Sequence, residues 1–460
     1  MHTEHLQQKN KLTKTIMVMK QYFFTSIFLL ISIYTFAQER YKTEIDLGGG
    51  FSLTTFLDFS KEQNQFTLTS PKNADKRVIG GFKSILGRMF GKLPKKGIFV
   101  TLNGTQQGDS LIGSGNIAVL GELMFKGILK GNELSGYLLK DDTISIAKVH
   151  GIQTSETRID YENFYPKIVE ITQNNIYSID VLKTKEWKKF QKKLKRLCKK
   201  TQDDVEFFLG FNLISQNLPF SHYDLIIQQE GAKKGENGNN ETTVIFEEKT
   251  PETAYLKIMN FSSSQKEIAE VFPKITENEN YKYLIVDLRG NAGGGIEAAF
   301  EFGKHILNQE TEVGYFVTNK FNTKDLSKLP ATIATTTDGF IEEMKNGKGA
   351  KMVFPKSDNA VFSGKLYILT DSKTASTCEP IVYVLKNTKR ATIVGSNTAG
   401  AMLSAAPFQI FGKYKLIIPI ADFYTFDGVR LDQIGVAPDI ETEPENALNK
   451  ALELLKNKSN

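Results

Sequence analysis

The sequence predicts an α/β domain in its C-terminal half, preceded by a small antiparallel β-domain and a helical segment. Three observations predict it. Two apolar strands, Leu284–Val286 extended by Leu288 and Leu366–Leu369, each empty into a loop of small residues and then into a helix. Uninterrupted apolar runs of that length suit strands buried on both faces. Between 40 and 151, short alternating segments such as 66–69, 97–102, 134–139 and 143–149 are separated by turn signals at Asn103-Gly104 and Gly131-Asn132, the pattern of a β-sandwich or barrel. From Asp160 to about Asn217 the period becomes helical, with Trp187, Phe190, Leu194 and Leu197 at three- and four-residue steps.

The N-terminus comes first in chain order. Lys14 and Lys20 precede an uncharged apolar stretch from Tyr22 to Ala37, and Thr35-Phe36-Ala37 before Gln38 places small residues at −3 and −1 of a signal-peptidase site. About sixteen apolar residues fall short of the roughly twenty that span a bilayer. Residues 1–37 are therefore expected to be a cleaved signal peptide and the protein periplasmic or in the cell envelope, with the long polar leader pointing to a start at Met17 or Met19. The expected domains are 38–152 (β-rich), 156–235 (helical) and 241–460 (α/β), with the polar Gly231–Asn240 as a linker.

Composition fits this plan. A chain of 460 residues suggests two to three domains, and a net charge of +6 gives no reason to expect nucleic acid. The helical segment carries Lys188, Lys189, Lys192, Lys195, Arg196 and Lys199 opposite its apolar stripe. That is the pattern of a solvated face, with a membrane surface or acidic partner as the minor alternative. No Cys/His pattern resembles a metal site, and nothing argues for a disulfide between the two cysteines, Cys198 and Cys378.

The two loops carry the chemistry. Gly290, Asn291 and Gly293–Gly295 follow the first strand, and glycines leave backbone N–H groups open to a ligand. Neither a Walker ending nor G-x-G-x-x-G is present, so a nucleotide is not indicated; a tight turn needing glycine for geometry alone is the competing reading. In the second loop Ser376 and Glu379 form a Ser-x-x-Glu capping box, with Pro380 early enough to be tolerated. A serine oxygen there also lies beside free N–H donors and the positive end of the helix dipole. Cap and nucleophile compete for the hydroxyl. As a cap, its loss would cost about 1 kcal/mol.

DLRGNAGGG (Asp287–Gly295), then T-A-S-x-x-E (Thr374–Glu379), RATIVGSNTAG (Arg390–Gly400) and GVAPDI (Gly435–Ile440) resemble the catalytic domain of the C-terminal-processing, or tail-specific, serine peptidases over about Thr253 to Leu455. The resemblance implies a ClpP/crotonase-like spiral of β-β-α units, peptide or protein substrates, hydrolysis through an acyl-serine at Ser376, and no cofactor. One branch of that family uses a lysine twenty-five residues after the nucleophile, where this chain has Ala401. The other resembles the tricorn core, in which a Ser-His pair supplies the base and an acid near the GVxPD motif supports it. Ser221-His222 and Asp432 match that pattern, Asp432 being shorter than the family's usual Glu. The resemblance then makes His222 the base and Ser221 a relay, with the N–H groups of Thr377 and of Gly293 or Gly294 as the oxyanion hole. No segment of PDZ length stands between the helical region and the strand Ala254–Ile258, which agrees with this branch.

Histidine scarcity supports the same choice. Of five histidines, His2 and His5 precede the apolar stretch, His150 ends the β-rich region, and His305 lies ten residues beyond Gly295 on a helix, roughly 15 Å along its axis. His222 is left. A histidine base implies activity rising through an apparent pKa of about 6 to 7.5. Two rival readings are a non-catalytic binding or scaffold protein that keeps the fold, suggested by Ser396 where the family has Glu, and Ser376 with Lys373 as base.

Overall fold

The computed structural model describes residues 39–456 apart from 73, 79–98, 118–119, 142, 229–241, 324 and 359. The expected signal peptide, its cleavage site and the Gly231–Asn240 linker lie outside the described residues. The chain forms two compact units, one running to Ile159 and including Lys200–Phe207, the other comprising Asp160–Lys199 and everything from Phe208.

In the first unit β1 (Glu39–Asp46), β2 (Ser52–Glu62), β3 (Gln65–Thr69), β4 (Val100–Gln107), β5 (Ser110–Ile117), β6 (Gly121–Lys130), β7 (Glu133–Lys140) and β8 (Ile144–Gln153) make a closed antiparallel barrel. Each strand pairs with its neighbour in sequence, and β8 returns to β1, Ile45 facing Val149. Closure leaves no strand edge open. Alternating side chains such as Tyr41, Leu68, Leu102, Phe125 and Leu138 fill the interior. Gly127 and Gly136 face each other across β6 and β7. A Cβ on either would meet the Phe125 ring, at 2.5 and 2.8 Å, so the two glycines make room for an aromatic lid across the pair.

The second unit holds two sheets. Strands β10 (Val244–Thr250), β11 (Thr253–Ile258), β12 (Tyr283–Asp287), β15 (Lys365–Thr370), β16 (Ala391–Gly395) and β19 (Ile440–Glu441) lie side by side in that order, parallel except for β10. The antiparallel sheet is ordered β14 (Gly349–Phe354), β13 (Thr311–Thr318), β18 (Tyr414–Thr425), β17 (Leu403–Phe411), with β9 (Asp224–Ile227) also paired to β18. Helices α4 (Gln265–Thr276), α5 (Ile296–Ile306) and α7 (Cys378–Asn387) follow β11, β12 and β15, giving the repeated strand–helix units of the expected α/β fold. Their apolar sides cover Leu256, Leu284, Val286 and Ile368. The C-terminal helix α8 (Ala447–Lys456) covers the opposite face, Ile285, Tyr367 and Leu369. Both faces of β12 and β15 are therefore buried, which is why they read as unbroken apolar runs. Each such side chain contributes roughly 1.5–3 kcal/mol.

Helices α1 (Phe164–Asn175), α2 (Lys185–Lys200) and α3 (Asp204–Ser215) are not a compact unit of their own: 160–199 and 208 onward group with the α/β sheets. The reason is that their apolar stripes pack on other elements, as where Phe164 lies against Tyr414 and Phe190 against Tyr223. Trp187, Phe190, Leu194 and Leu197 are buried, while Lys188, Lys189, Lys192 and Lys195 are exposed. A sixth helix between β13 and β14, α6 (Thr337–Asn346), begins at the Thr336 cap.

Candidate active site

The loops after β12 and β15 meet at one edge of the parallel sheet and are sewn together. Ala375 N–H donates to the Asn291 carbonyl (3.0 Å), Thr374 Oγ1 to the Leu288 carbonyl (2.9 Å), Gly290 N–H to Asp371 Oδ1 (3.0 Å) and Thr377 Oγ1 to the Gly294 carbonyl (2.7 Å). Ser376 is half-buried at φ +54°, a left-handed conformation that side-chain-bearing residues adopt at a cost and keep where their surroundings enforce it. Gly293 is part of that enforcement. A Cβ there would lie 2.7 Å from Ser376 Cβ and 2.8 Å from the Ala375 carbonyl oxygen.

The helix starts at Cys378 with Thr377 as its N-cap, two residues later than the sequence pattern implied. Only half of the expected capping box forms: Glu379 accepts from Ser376 N–H (3.2 Å), but Ser376 Oγ has no hydrogen bond among the described residues. The left-handed turn swings the side chain away from the helix end. The hydroxyl is thus not held by the cap, and the capping cost expected for its removal does not apply.

Glu379 does more than close a helix. It is fully buried and also accepts from Thr398 Oγ1 (2.6 Å), Gly400 N–H (2.7 Å) and Ala401 N–H (2.8 Å). Burial raises its pKa and these donors pull it back. It therefore fastens the Ser376 turn to the 398–401 turn, a role that sequence reasoning missed. The available signal was a carboxylate on a helix side otherwise formed by Ile381, Val382 and Leu385. At Ala401, the lysine position of the other branch, only a backbone amide faces Glu379; Lys373 is exposed.

The structure brings three of the candidates into one chain of hydrogen bonds. Ser221 Oγ donates to Asp432 Oδ1 at 2.7 Å and lies 2.7 Å from His222 Nδ1. Asp432 thus reaches the pair despite its short side chain. A carboxylate only accepts, so the Ser221 proton points to Asp432 and Ser221 Oγ must accept from Nδ1–H. That tautomer leaves the Nε2 lone pair free. Burial lowers the His222 pKa, partly offset by Asp224, which keeps the ring neutral at pH 7.

His222 is also left-handed, at φ +58°, as is Gln433 beside Asp432 at +66°. Its neighbour Tyr223 anchors the turn. Tyr223 is buried among Trp187, Phe190, Phe211 and Phe220, with ring centroids 5.6–6.0 Å away, and its hydroxyl is 2.7 Å from Thr172 Oγ1. Pairing of β9 with β18 then carries this turn toward the strand that leads to Asp432.

Of the candidate oxyanion donors, Gly293 N–H donates to Asn291 Oδ1 (2.9 Å), whereas the N–H groups of Gly294 and Thr377 have no acceptor among the described residues. His305 is buried, stacks on Phe272 at 4.5 Å and contacts Glu301 (3.1 Å). His150 sits exposed on the barrel beside Glu133. Cys198 and Cys378 are free and buried. Among the described residues no group of three or more His, Cys, Asp or Glu is arranged to hold a metal ion.

The two strand–loop–helix pairs carry the motifs at 287–295 and 374–379, and those at 390–400 and 435–440 lie in the same α/β unit. Residues 252–442, less than half of the chain, match the family model described as Peptidase family S41. The "C-terminal processing peptidase, chloroplastic" of Tetradesmus obliquus is 21% identical over 192 residues, 42% of this chain and 35% of that protein. The "Carboxyl-terminal-processing protease" of a Synechocystis strain is 25% identical over 40% of this chain and 36% of its own length. The chain thus spans about a third of the length of these curated relatives. Among solved structures, a lipoprotein from Streptococcus agalactiae has a TM-score of 0.46 at 14% identity, covering 65% of this chain and 97% of that one. The tricorn protease has a TM-score of 0.43 at 13% identity, covering 87% of this chain and 46% of that one.

Proposed function

We propose that this protein is an exported serine peptidase that cleaves peptide bonds through an acyl-enzyme on Ser376, with His222 as base. The observation that supports this best is the Asp432–Ser221–His222 chain, which leaves Nε2 as the proton acceptor. As Ser376 Oγ bonds to the scissile carbonyl carbon, its proton passes to His222 Nε2. The imidazolium is stabilised through Nδ1–H and Ser221 by Asp432. Thr377 N–H and Gly293 or Gly294 N–H receive the developing oxyanion; for Gly293 this means exchanging Asn291 Oδ1 for the substrate oxygen. His222 returns its proton to the leaving amine, the C–N bond breaks, and water, deprotonated by the same histidine, releases the acid product.

Labelling with a fluorophosphonate and peptide mass mapping tests this reading. The reagent should add once, on Ser376, and labelling should be lost in His222→Gln. Absence of any adduct on the folded protein would instead favour a non-catalytic binding protein, the reading to which the occupied Gly293 amide and Ser396 lend support.

For the compartment, the apolar Tyr22–Ala37 stretch and its small-residue ending support export. The mature chain is expected to begin at Gln38, checked by N-terminal sequencing or intact mass. A product that retains Tyr22–Ala37 would mean an anchored protein.

A further inference from the structure

Asp432 is fully buried, and its outer oxygen does not face water. Arg430 occupies it. Its Nη2 lies 3.1 Å from Asp432 Oδ2, Nη1 donates to the Asp432 carbonyl (3.0 Å), and Nε donates to Asp422 Oδ2 (2.8 Å). The guanidinium also lies over the Tyr177 ring, 6.0 Å from its centroid, with Nη2 at 3.4 Å from Tyr177 Oη. Asp422 is held in turn by the Phe423 amide (3.0 Å). The fork therefore cannot swing without breaking several contacts at once.

We propose that Arg430 is the positioning residue that holds Asp432 as an acceptor and so sets the direction of the Asp432–Ser221–His222 relay. This rests on the base assignment given above. A carboxylate facing Ser221 draws the hydroxyl proton to itself and leaves His222 protonated on Nδ1. A protonated carboxyl would do the reverse: it would donate to Ser221 Oγ, the hydroxyl would turn to Nδ1, and the ring proton would sit on Nε2, where it blocks the base. Burial pushes the Asp432 carboxyl toward that protonated state, and Ser221, Arg430 and the Met402 amide oppose it. Arg430 supplies the only full positive charge in that set. Among the described residues, the other titratable groups facing this cluster are Asp422 and Tyr424 on β18, Tyr177 after α1, His222 on the Ser-His turn and Asp224 at the start of β9. Asp422 and Asp432 repel each other, which opposes ionisation of Asp432, and burial favours the neutral form of His222.

Arg430→Gln is expected to lower kcat 10- to 100-fold at pH 7 with little change in KM, and to move the acid limb of the pH profile upward and steepen it. With the guanidinium gone, Asp432 takes up a proton at higher pH, so two groups must lose protons before the base is competent. Arg430→Lys keeps the charge without the fork and should fall between the two. A cavity of about 590 Å³ lined by Arg430, Asp422, Tyr424 and Tyr177 adjoins this group, so millimolar guanidinium should restore part of the activity of Arg430→Ala. ¹⁵N spectra of the histidine rings in a Ser376→Ala background provide a readout independent of turnover: Nδ1–H for His222 with Arg430 present, a shift to Nε2–H in Arg430→Gln. Arg430→Gln with an unmoved acid limb and an unchanged tautomer overturns the proposal while leaving the base assignment intact. An active His222→Gln would instead remove the base assignment itself. If Arg430→Gln does not fold, Arg430→Lys decides by the same two readouts.

Discussion

Ser376→Ala should abolish peptide hydrolysis, by on the order of 10⁵ to 10⁶ in kcat, while the melting temperature stays at the wild-type value. The size follows from chemistry, since no acyl-enzyme can form without the oxygen and the other groups supply only residual catalysis. The unchanged stability follows from geometry. Ser376 Oγ makes no hydrogen bond among the described residues, Cβ is retained in the left-handed turn, and Glu379 binds the backbone N–H, which alanine keeps. Stability should therefore lie within about 0.5 kcal/mol of wild type. Steady-state hydrolysis of an unfolded protein and a thermal melt check both halves. A purified variant cleaving near the wild-type rate would falsify the nucleophile assignment.

His222→Gln should lose about 10³-fold or more in kcat/KM, and the wild-type pH profile should carry the signature of that ring. The imidazole accepts a proton only when neutral, so activity is present above its pKa and lost as pH falls through it. Burial shifts the pKa downward, so the acid limb should lie on the low side of an ordinary histidine. Asp432→Asn should lose less than His222→Gln, because Asp432 carries no proton in flight. Lys373, being exposed, should be replaceable by alanine with little effect. A limb rising only above about pH 9, together with an inactive Lys373→Ala, would move the assignment to a lysine base.

Much of this was legible because it is local. A strand buried on both faces is largely apolar, so β12 and β15 stand out in the sequence, and neighbouring parallel strands carry the loops that follow them to one sheet edge. Elimination among the five histidines points to His222; of the other two considered, His305 stacks on Phe272 and His150 is exposed on the barrel. What stayed hidden depends on distant partners. No local pattern ties Arg430 to Tyr177, or Glu379 to Thr398 and Gly400. The choice between sandwich and barrel hinged on whether β8 meets β1, a pairing between strands about a hundred residues apart. The helix boundary was misplaced because Ser376 takes a left-handed turn that its residue type does not announce.

The relay has one end inside the matched segment and the other outside it. Ser376 and Asp432 fall within 252–442, but Ser221 and His222 lie about thirty residues upstream of it. On the proposed mechanism, the family segment is an incomplete machine that borrows its proton acceptor from a neighbouring stretch of chain. On that mechanism, a clone cut to 252–442 would lack Ser221 and His222 and should be inactive however well it folds.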